Sequence, residues 1–301
     1  MLLNKLRSLL FPQQCAKTEC QKDTPPSSYV DSRECGFKDA IQSGWYLQTN
    51  ELFKGFSISS EDVVLDVGCG PGGATMFAAN IGAHVIFSDV LPERIDDLSR
   101  RVAQTPARHA QGLISDSNPL PLEAETASRV VAMEVLEHVA DPTQVLSELY
   151  RVGKPGALYL LAVPDARGEH IQKFIAPESY FQSPNHIRII ERDEFVKLVE
   201  DAGLIIEQHT TYGFFWTIWM LFYWSWAKSP AGQTQPPDKD LLQPPYPELL
   251  NDWARTWSKL IEMPESAPVK AALDELLPKS QVIVARKPLA TEPQAEASIP
   301  I

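Results

Sequence analysis

Residues 63–90, "VVLDVGCGPGGATMFAANIGAHVIFSDV", hold the reading on which the rest of the chain depends. An apolar run ends on Asp66, a glycine cluster follows, and a second apolar run ends on Asp89. Short β-branched apolar runs read as buried strands, and the stretch between them has helical spacing. At such a strand-to-helix turn, backbone N–H groups and the helix dipole converge on whatever ligand an open parallel sheet binds. Glycine is needed where a side chain would block close approach. Gly68, Gly70 and Gly73 satisfy G-x-G-x-x-G, and Gly68, Gly70 and Gly72 satisfy G-x-G-x-G. Asp89 is placed to hold a ribose diol through both carboxylate oxygens. These residues alone leave several nucleotide-like cofactors open, nicotinamide dinucleotides among them.

Outward from the turn, apolar strands alternate with helical patterns. Strands are expected at 63–67, 84–88, 111–115, 129–133, 157–163 and 204–211, with helices at 73–81, 92–104, 142–151 and 191–202. This alternation predicts an α/β fold: a Rossmann-like, mostly parallel sheet with helices on both faces. Gly203, in "AGL", supplies a helix stop after 191–202. Upstream, 36–56 includes "SGWYLQTNELFKGF", an amphipathic helical pattern. Downstream come an aromatic run at 214–227, a proline-rich stretch at 229–247, helical patterns near 248–262 and 267–277, and a last strand at 281–287. The expected organisation is an N-terminal amphipathic segment and linker (1–35), a core (36–211), an insertion (212–280), the last core strand and a disordered tail (288–301).

Several ordered motifs narrow the cofactor. "LDVGCGPGG" resembles motif I of the class I S-adenosylmethionine-dependent methyltransferases, and "SDSNPLPL" (115–122) resembles their adenine-side loop. "VVAMEVLEHVADP" (130–142) is similar to the end of their fourth strand, above all in ubiquinone-biosynthesis O-methyltransferases; "LYRVGKPGALYLLAVP" (149–164) is similar to their next helix, turn and strand. The resemblance covers about residues 40–211, plus 281–287 as an antiparallel seventh strand. It implies S-adenosyl-L-methionine as cofactor, with Asp66, Gly68, Cys69, Gly70 and Gly72 lining its methionine end and Asp89 taking the ribose hydroxyls. Val90 would lie beside the adenine, with Asp116 and Ser117 at its amino edge and Glu134 near the sulfonium. Trp45 and Tyr46 fall where many members carry an N-terminal lid. Ser128-Arg129 replaces the family's common Phe-Asp before the fourth strand. The bland alternatives are that Asp66 only caps a helix, that Trp45 and Tyr46 are core anchors, and that Cys69 is a small packing residue.

A hydroxyl acceptor has to lose a proton, and His138 and His186 are the candidate bases, with Glu134 beside them. Glu134, Glu137 and His138 share one face if 134–141 is helical. In some quinone O-methyltransferases the matching Glu-x-x-Glu-His holds a divalent metal, and Mg²⁺ or Zn²⁺ would suit such a set. Packing of His138 is the competing reading, and no metal is assigned.

With 301 residues, 44% of them apolar, the chain can bury one large core or two modest ones. A net charge of -12 argues against a nucleic-acid partner. Of four cysteines, Cys15, Cys20 and Cys35 precede the turn and Cys69 lies in it, with no cluster of zinc spacing. That usage suits a reduced, cytoplasmic protein. "MLLNKLRSLLF" places Leu2, Leu3, Leu6, Leu9 and Leu10 on one helical face; Lys5 and Arg7 interrupt its apolar residues, so it is not expected to act as a signal peptide. "FFWTIWMLFYWSWA" (214–227) is too short to cross a bilayer but suits a membrane interface, a substrate lid or a homodimer contact. The expected function is O-methylation of a quinone-like, lipid-linked or glycan acceptor, with peripheral membrane contact on the cytoplasmic face. An NAD(P)-dependent oxidoreductase and a non-catalytic cofactor-binding partner protein are the alternatives from other classes.

Overall fold

The computed structural model describes residues 31–234 and 244–289. The Leu-rich N-terminus, Cys15, Cys20, part of the proline-rich stretch and most of the tail lie outside the described residues.

Asp31 caps the first helix, α1 (Ser32–Gln42), by accepting the Arg33 N–H at 2.8 Å. The chain then forms three short antiparallel strands, β1 (Trp45–Leu47), β2 (Glu51–Phe53) and β3 (Phe56–Ser57), where the sequence pattern predicts one helix over 36–56. The reason lies in the spacing. Trp45, Leu52, Phe53 and Phe56 fall on one face of a helix, but pairing Trp45 against Phe53 brings the same four side chains into one buried core. Tyr46 and Asn50 adopt φ of 53° and 61°, which a right-handed helix cannot hold.

The main layer follows as β4 (Val63–Val67), α2 (Gly73–Ile81), β5 (His84–Asp89), α3 (Pro92–Val102), β6 (His109–Ile114) and β7 (Ala127–Met133). It continues through α4 (Pro142–Val152), β8 (Gly153–Pro164), α5 (Ala166–Gln172), α6 (Arg192–Asp201) and β9 (Ile205–Tyr212). After α7 (Phe214–Ala227), α8 (Glu248–Ile261) and α9 (Ala267–Leu276), the last strand β10 (Ser280–Arg286) returns to the sheet. The seven strands lie in the order β6-β5-β4-β7-β8-β10-β9; β10 runs antiparallel to both its neighbours, and the β6-to-β8 pairs are parallel. Central strands are near-continuously apolar because both sheet faces are covered. Val64 and Leu160 face one core, and Leu65, Val67 and Leu161 face the other. Ser128 and Arg129 form a polar clamp at the entry to β7. Ser128 donates to Asp62 at 2.8 Å and accepts the Val63 N–H at 3.0 Å, while Arg129 pairs with Asp62 at 3.1 Å.

The aromatic run is helix α7, and it builds a third core with α8 and α1. Phe215, Trp219, Leu250 and Trp257 are fully buried there, joined by Cys35. Thus α1, expected in the sheet domain, belongs to this cap. Asp274 accepts the Gly213 and Phe214 N–H groups at 3.0 and 2.9 Å, capping α7. Lys270 ties Asp274 to Asp39, 3.3 Å away on α1, and Asp39 accepts the Trp257 indole N–H at 2.8 Å. Among the described residues, no helix is long and apolar enough to cross a membrane.

Candidate active site

The strand order reverses at β4, which has β5 on one side and β7 on the other. A crevice forms at the carboxyl ends of strands at such a switch point. The glycine turn lies there, under the loop that follows β7: a Cβ on Gly68, at φ 64°, would meet the Val135 side chain at 2.6 Å. At Gly70 the situation is opposite. A Cβ there would stand 3.9 Å from the Arg94 guanidinium and the Gly68 carbonyl, an ordinary contact distance, so it is the left-handed φ of 49° rather than crowding that calls for glycine.

Asp89 is 9% exposed, and each carboxylate oxygen takes one backbone N–H, from Gly70 and Leu91, both at 3.0 Å. A carboxylate oxygen has a second acceptor position, so two hydroxyls of a sugar diol can still be received. Asp66 is buried, and its Oδ2 accepts the Thr75 N–H at 3.0 Å and the Thr75 hydroxyl at 2.6 Å, so the capping role is real. Burial pushes its carboxyl up to about 6, against the lowering effect of the Thr75 bonds. Tyr46 is half-buried against Phe77, ring centroids 5.9 Å apart, and its phenol is pushed up to about 12 by burial and by the Asp66 carboxylate. Trp45 is 2% exposed and packs on Phe53 and Tyr212, so of the expected lid pair it is a core anchor, while Tyr46 reaches toward Asp66. Cys69 is buried and its thiol is pushed far up by burial, which disfavours the thiolate form.

The rim beyond β5 and β6 contains the other expected cofactor residues. Val90 is 60% exposed; Asp116 is exposed and accepts the Asn118 N–H at 3.1 Å; Ser117, at φ 66°, is buried with its N–H on the Ser115 hydroxyl at 2.9 Å. This places an apolar side chain, a carboxylate and a backbone turn along the edge adjoining Asp89.

The segment after β7 is not the helix on which a Glu134, Glu137 and His138 face depends. Glu134 takes φ 56°, turns away, and bonds to the Lys279 ammonium and to the Ser280 hydroxyl at 2.8 Å. Burial opposes ionisation of Glu134, but the Lys279 charge and these hydrogen bonds hold its carboxyl below the usual range. Glu137 is 1% exposed, and neither of its oxygens has a hydrogen-bond partner among the described residues. Burial, reinforced by Glu134, pushes its carboxyl well above the usual range. The His138 Nδ1 lies 3.1 Å from the Pro184 carbonyl, and its Nε2 lies 3.6 Å from Glu137. His186 is buried, with Nδ1 2.7 Å from Glu169, a residue of α5. The two imidazoles stand edge to face at 5.0 Å.

Rings surround this cluster. Tyr180 lies 4.6 Å from His186 and 5.7 Å from Trp224, while Phe181 lies 6.5 Å from His186. Burial pushes the Tyr180 phenol up to about 12. Burial pushes the Tyr212 phenol up, and it feels both Glu134 and Tyr46, which links the cluster to the Asp66 side of the crevice. Lys279, Glu169, Tyr180 and Tyr212 went unnoticed in the sequence, since no motif contains them. Only the position of Lys279 at the foot of the last strand offered a signal.

A family model described as a methyltransferase domain matches residues 46–209. The chain belongs to that family. A probable S-adenosylmethionine-dependent methyltransferase of Mycolicibacterium smegmatis is 30% identical over 48% of this chain and 52% of its own length. Methyltransferase GfsG of Streptomyces halstedii is 27% identical over 75% of this chain and 79% of its own. A ubiquinone biosynthesis O-methyltransferase of Dinoroseobacter shibae is 27% identical over 55% and 66%. The chain spans only about a third to a half of the first two curated relatives it matches, 30% and 52%. The methyltransferase solved with the Haloferax volcanii Trm112 activator superposes with a TM-score of 0.51 at 18% identity, over 85% of this chain and 92% of that one. The cyclase SpnF gives 0.51 at 15% identity, over 96% and 93%. At these identities the likeness is one of fold. The methyltransferase-domain match removes the nicotinamide reading of the glycine turn. The residues present fit S-adenosylmethionine: a glycine turn at the switch point and, beside it, the Asp89 carboxylate with acceptor positions left for a diol.

Proposed function

We propose that this protein transfers the methyl group of S-adenosyl-L-methionine to a hydroxyl oxygen on an apolar, aromatic acceptor of the quinone-like kind, either free or lipid-linked. The observation that carries the acceptor class is the ring-lined mouth. Tyr180 and Phe181 stand against His186, and Trp224 packs on Tyr180 behind them. A glycan, the other acceptor class considered, can also stack on aromatic rings, and the labelling experiment below separates the two.

Bound in the crevice, the cofactor supplies an electrophilic methyl on a cationic sulfur. The chain's own work is then alignment and exclusion of water. Alignment alone accounts for roughly 7–11 kcal/mol in well-oriented intramolecular cases. Asp89 and the Gly70 backbone set the sugar, Asp66 and Tyr46 close the methionine side, and Tyr212 joins that side to the mouth. A phenolic acceptor, with a pKa of about 10 judged by tyrosine, needs only modest help in losing its proton. The group facing it is the cluster of Glu137, His138 and His186.

The test begins with calorimetry on S-adenosylhomocysteine, where one-site uptake is expected and no uptake, or uptake of NADH instead, refutes the proposal. Asp89→Asn sets an amide N–H₂ against the Gly70 or Leu91 N–H and removes a charge from the diol site. That loss of about 1.5–3 kcal/mol weakens uptake about tenfold or more. Methyl-labelled cofactor with fractionated extract then addresses the acceptor. Label in the small-molecule or lipid quinol fraction is expected, and label confined to glycan or protein overturns the acceptor class.

A further inference from the structure

Glu137 presents a problem that protein atoms do not solve. Its side chain is 1% exposed, yet both oxygens lack a hydrogen-bond donor among the described residues. Burying a carboxylate without partners costs several kcal/mol, so such a group either keeps its proton or receives a cation. Lys279, the ammonium in this region, is committed to Glu134. What does face Glu137 is a pair of imidazoles: one ligand atom from each of Glu137, His138 and His186 lies within 4.8 Å of the others.

The outer partners of both rings favour metal binding. His138 Nδ1 is 3.1 Å from the Pro184 carbonyl, which can only accept, so Nδ1 carries the proton and Nε2 is left with a lone pair. His186 Nδ1 is 2.7 Å from the Glu169 carboxylate, itself 2% exposed, with the same consequence for its Nε2. A ligating histidine whose other nitrogen donates to a carboxylate or carbonyl is the usual outer arrangement of a metal site. The two rings meet edge to face rather than stacked, at 5.0 Å, which lets their nitrogens converge.

We propose that Glu137, His138 and His186 bind one divalent first-row transition ion such as Zn²⁺, at the acceptor mouth and without Glu134. Bonds of about 2.0–2.1 Å allow ligand atoms up to about 4.2 Å apart, so the site closes with a movement of under about 1 Å. Two imidazoles and one carboxylate suit Zn²⁺, Mn²⁺ or Co²⁺, whereas Mg²⁺ prefers oxygen ligands and its own waters. The ligand set differs from the Glu134, Glu137 and His138 triad that the Glu-x-x-Glu-His resemblance implies. Lys279 and Ser280 hold Glu134 away, and His186 arrives from a loop about fifty residues on. Three protein ligands leave positions open to an acceptor hydroxyl, whose proton passes to solvent as the ion lowers its pKa. The inference rests on the hydroxyl-acceptor reading for that role, but binding of the ion stands or falls separately.

The experiment uses the full chain, stripped with a chelator, dialysed against Zn²⁺, Co²⁺ or Mg²⁺, and assayed for bound metal and for Co²⁺ visible absorption. One equivalent of Zn²⁺ and a ligand-field spectrum with Co²⁺ are expected, with no retention of Mg²⁺. Glu137→Gln and His186→Ala are expected to abolish both signals, and Glu169→Gln to weaken Zn²⁺ by about 10–100-fold. Glu134→Gln is expected to keep them. Circular dichroism of each variant shows whether it is folded. Where His186→Ala does not fold, Glu169→Gln and the Co²⁺ spectrum carry the test. No stoichiometric Zn²⁺, binding that survives both ligand substitutions, or loss on Glu134→Gln overturns the inference. Uptake of S-adenosylhomocysteine by the stripped protein is measured alongside, and its failure would count against the methyl-transfer reading instead.

Discussion

Replacing Asp66 by asparagine reveals how much burying this carboxylate costs the fold. Asp66 is 3% exposed, and its carboxyl is raised from 3.8 to about 6, mainly by burial. A native state whose acid has a raised pKa holds its proton more tightly than the unfolded chain does. The fold is therefore favoured at low pH and loses stability as pH rises from about 4 to about 6, after which the loss is complete. A shift of about two units corresponds to about 3 kcal/mol. The asparagine would keep an oxygen for the Thr75 N–H and hydroxyl, now at 3.0 and 2.6 Å, without an ionisation to resist. The melting temperature of Asp66→Asn relative to wild type is expected to climb between pH 4 and pH 7 by roughly 5 °C for a chain of this size. Differential scanning calorimetry on both proteins across that range reads it directly. Since every other titrating group is common to the two, a difference that stays flat with pH refutes the claim that burial controls this carboxyl.

Two other perturbations test different parts of the molecule. Lys279→Met removes the cation that holds the Glu134 carboxyl below its usual range. The stability that Glu134 contributes is present above the ordinary value of 4.5 and lost as pH falls through its lowered native pKa. The variant should therefore melt lower than wild type at about pH 7, the gap closing toward about pH 3 in a thermal-shift series. Trp219→Ala opens a cavity at a fully buried site of the cap, which should cost about 3–5 kcal/mol in urea denaturation. A cost under about 1 kcal/mol would mean that α7 is not packed as described.

Local pattern was enough for the sheet. Strands whose two faces are both covered are apolar throughout, and the helices between them carry a 3.6-residue stripe, so β4, α2 and β5 could be drawn to the residue or nearly so. The glycine turn with Asp66 and Asp89 was legible because close approach to a ligand demands particular residues within one short segment. The stretch from Gly44 to Ser57 misled for the opposite reason. Its four anchors satisfy the period of a helix, and only burial against the sheet selects the strands.

The mouth was legible only in part. Glu134, Glu137 and His138 stand close in sequence, and a helical repeat would have kept them together. Chain direction at Glu134, and a lysine far along the chain, separate them instead. His186, Glu169 and Tyr180 come from the segments after β8, and Lys279 comes from the approach to β10. Nothing local ties these positions, because charge pairing and burial act through space between elements distant along the chain. The glycine turn is a contiguous motif, whereas the mouth exists only once α5, α7 and β10 have docked.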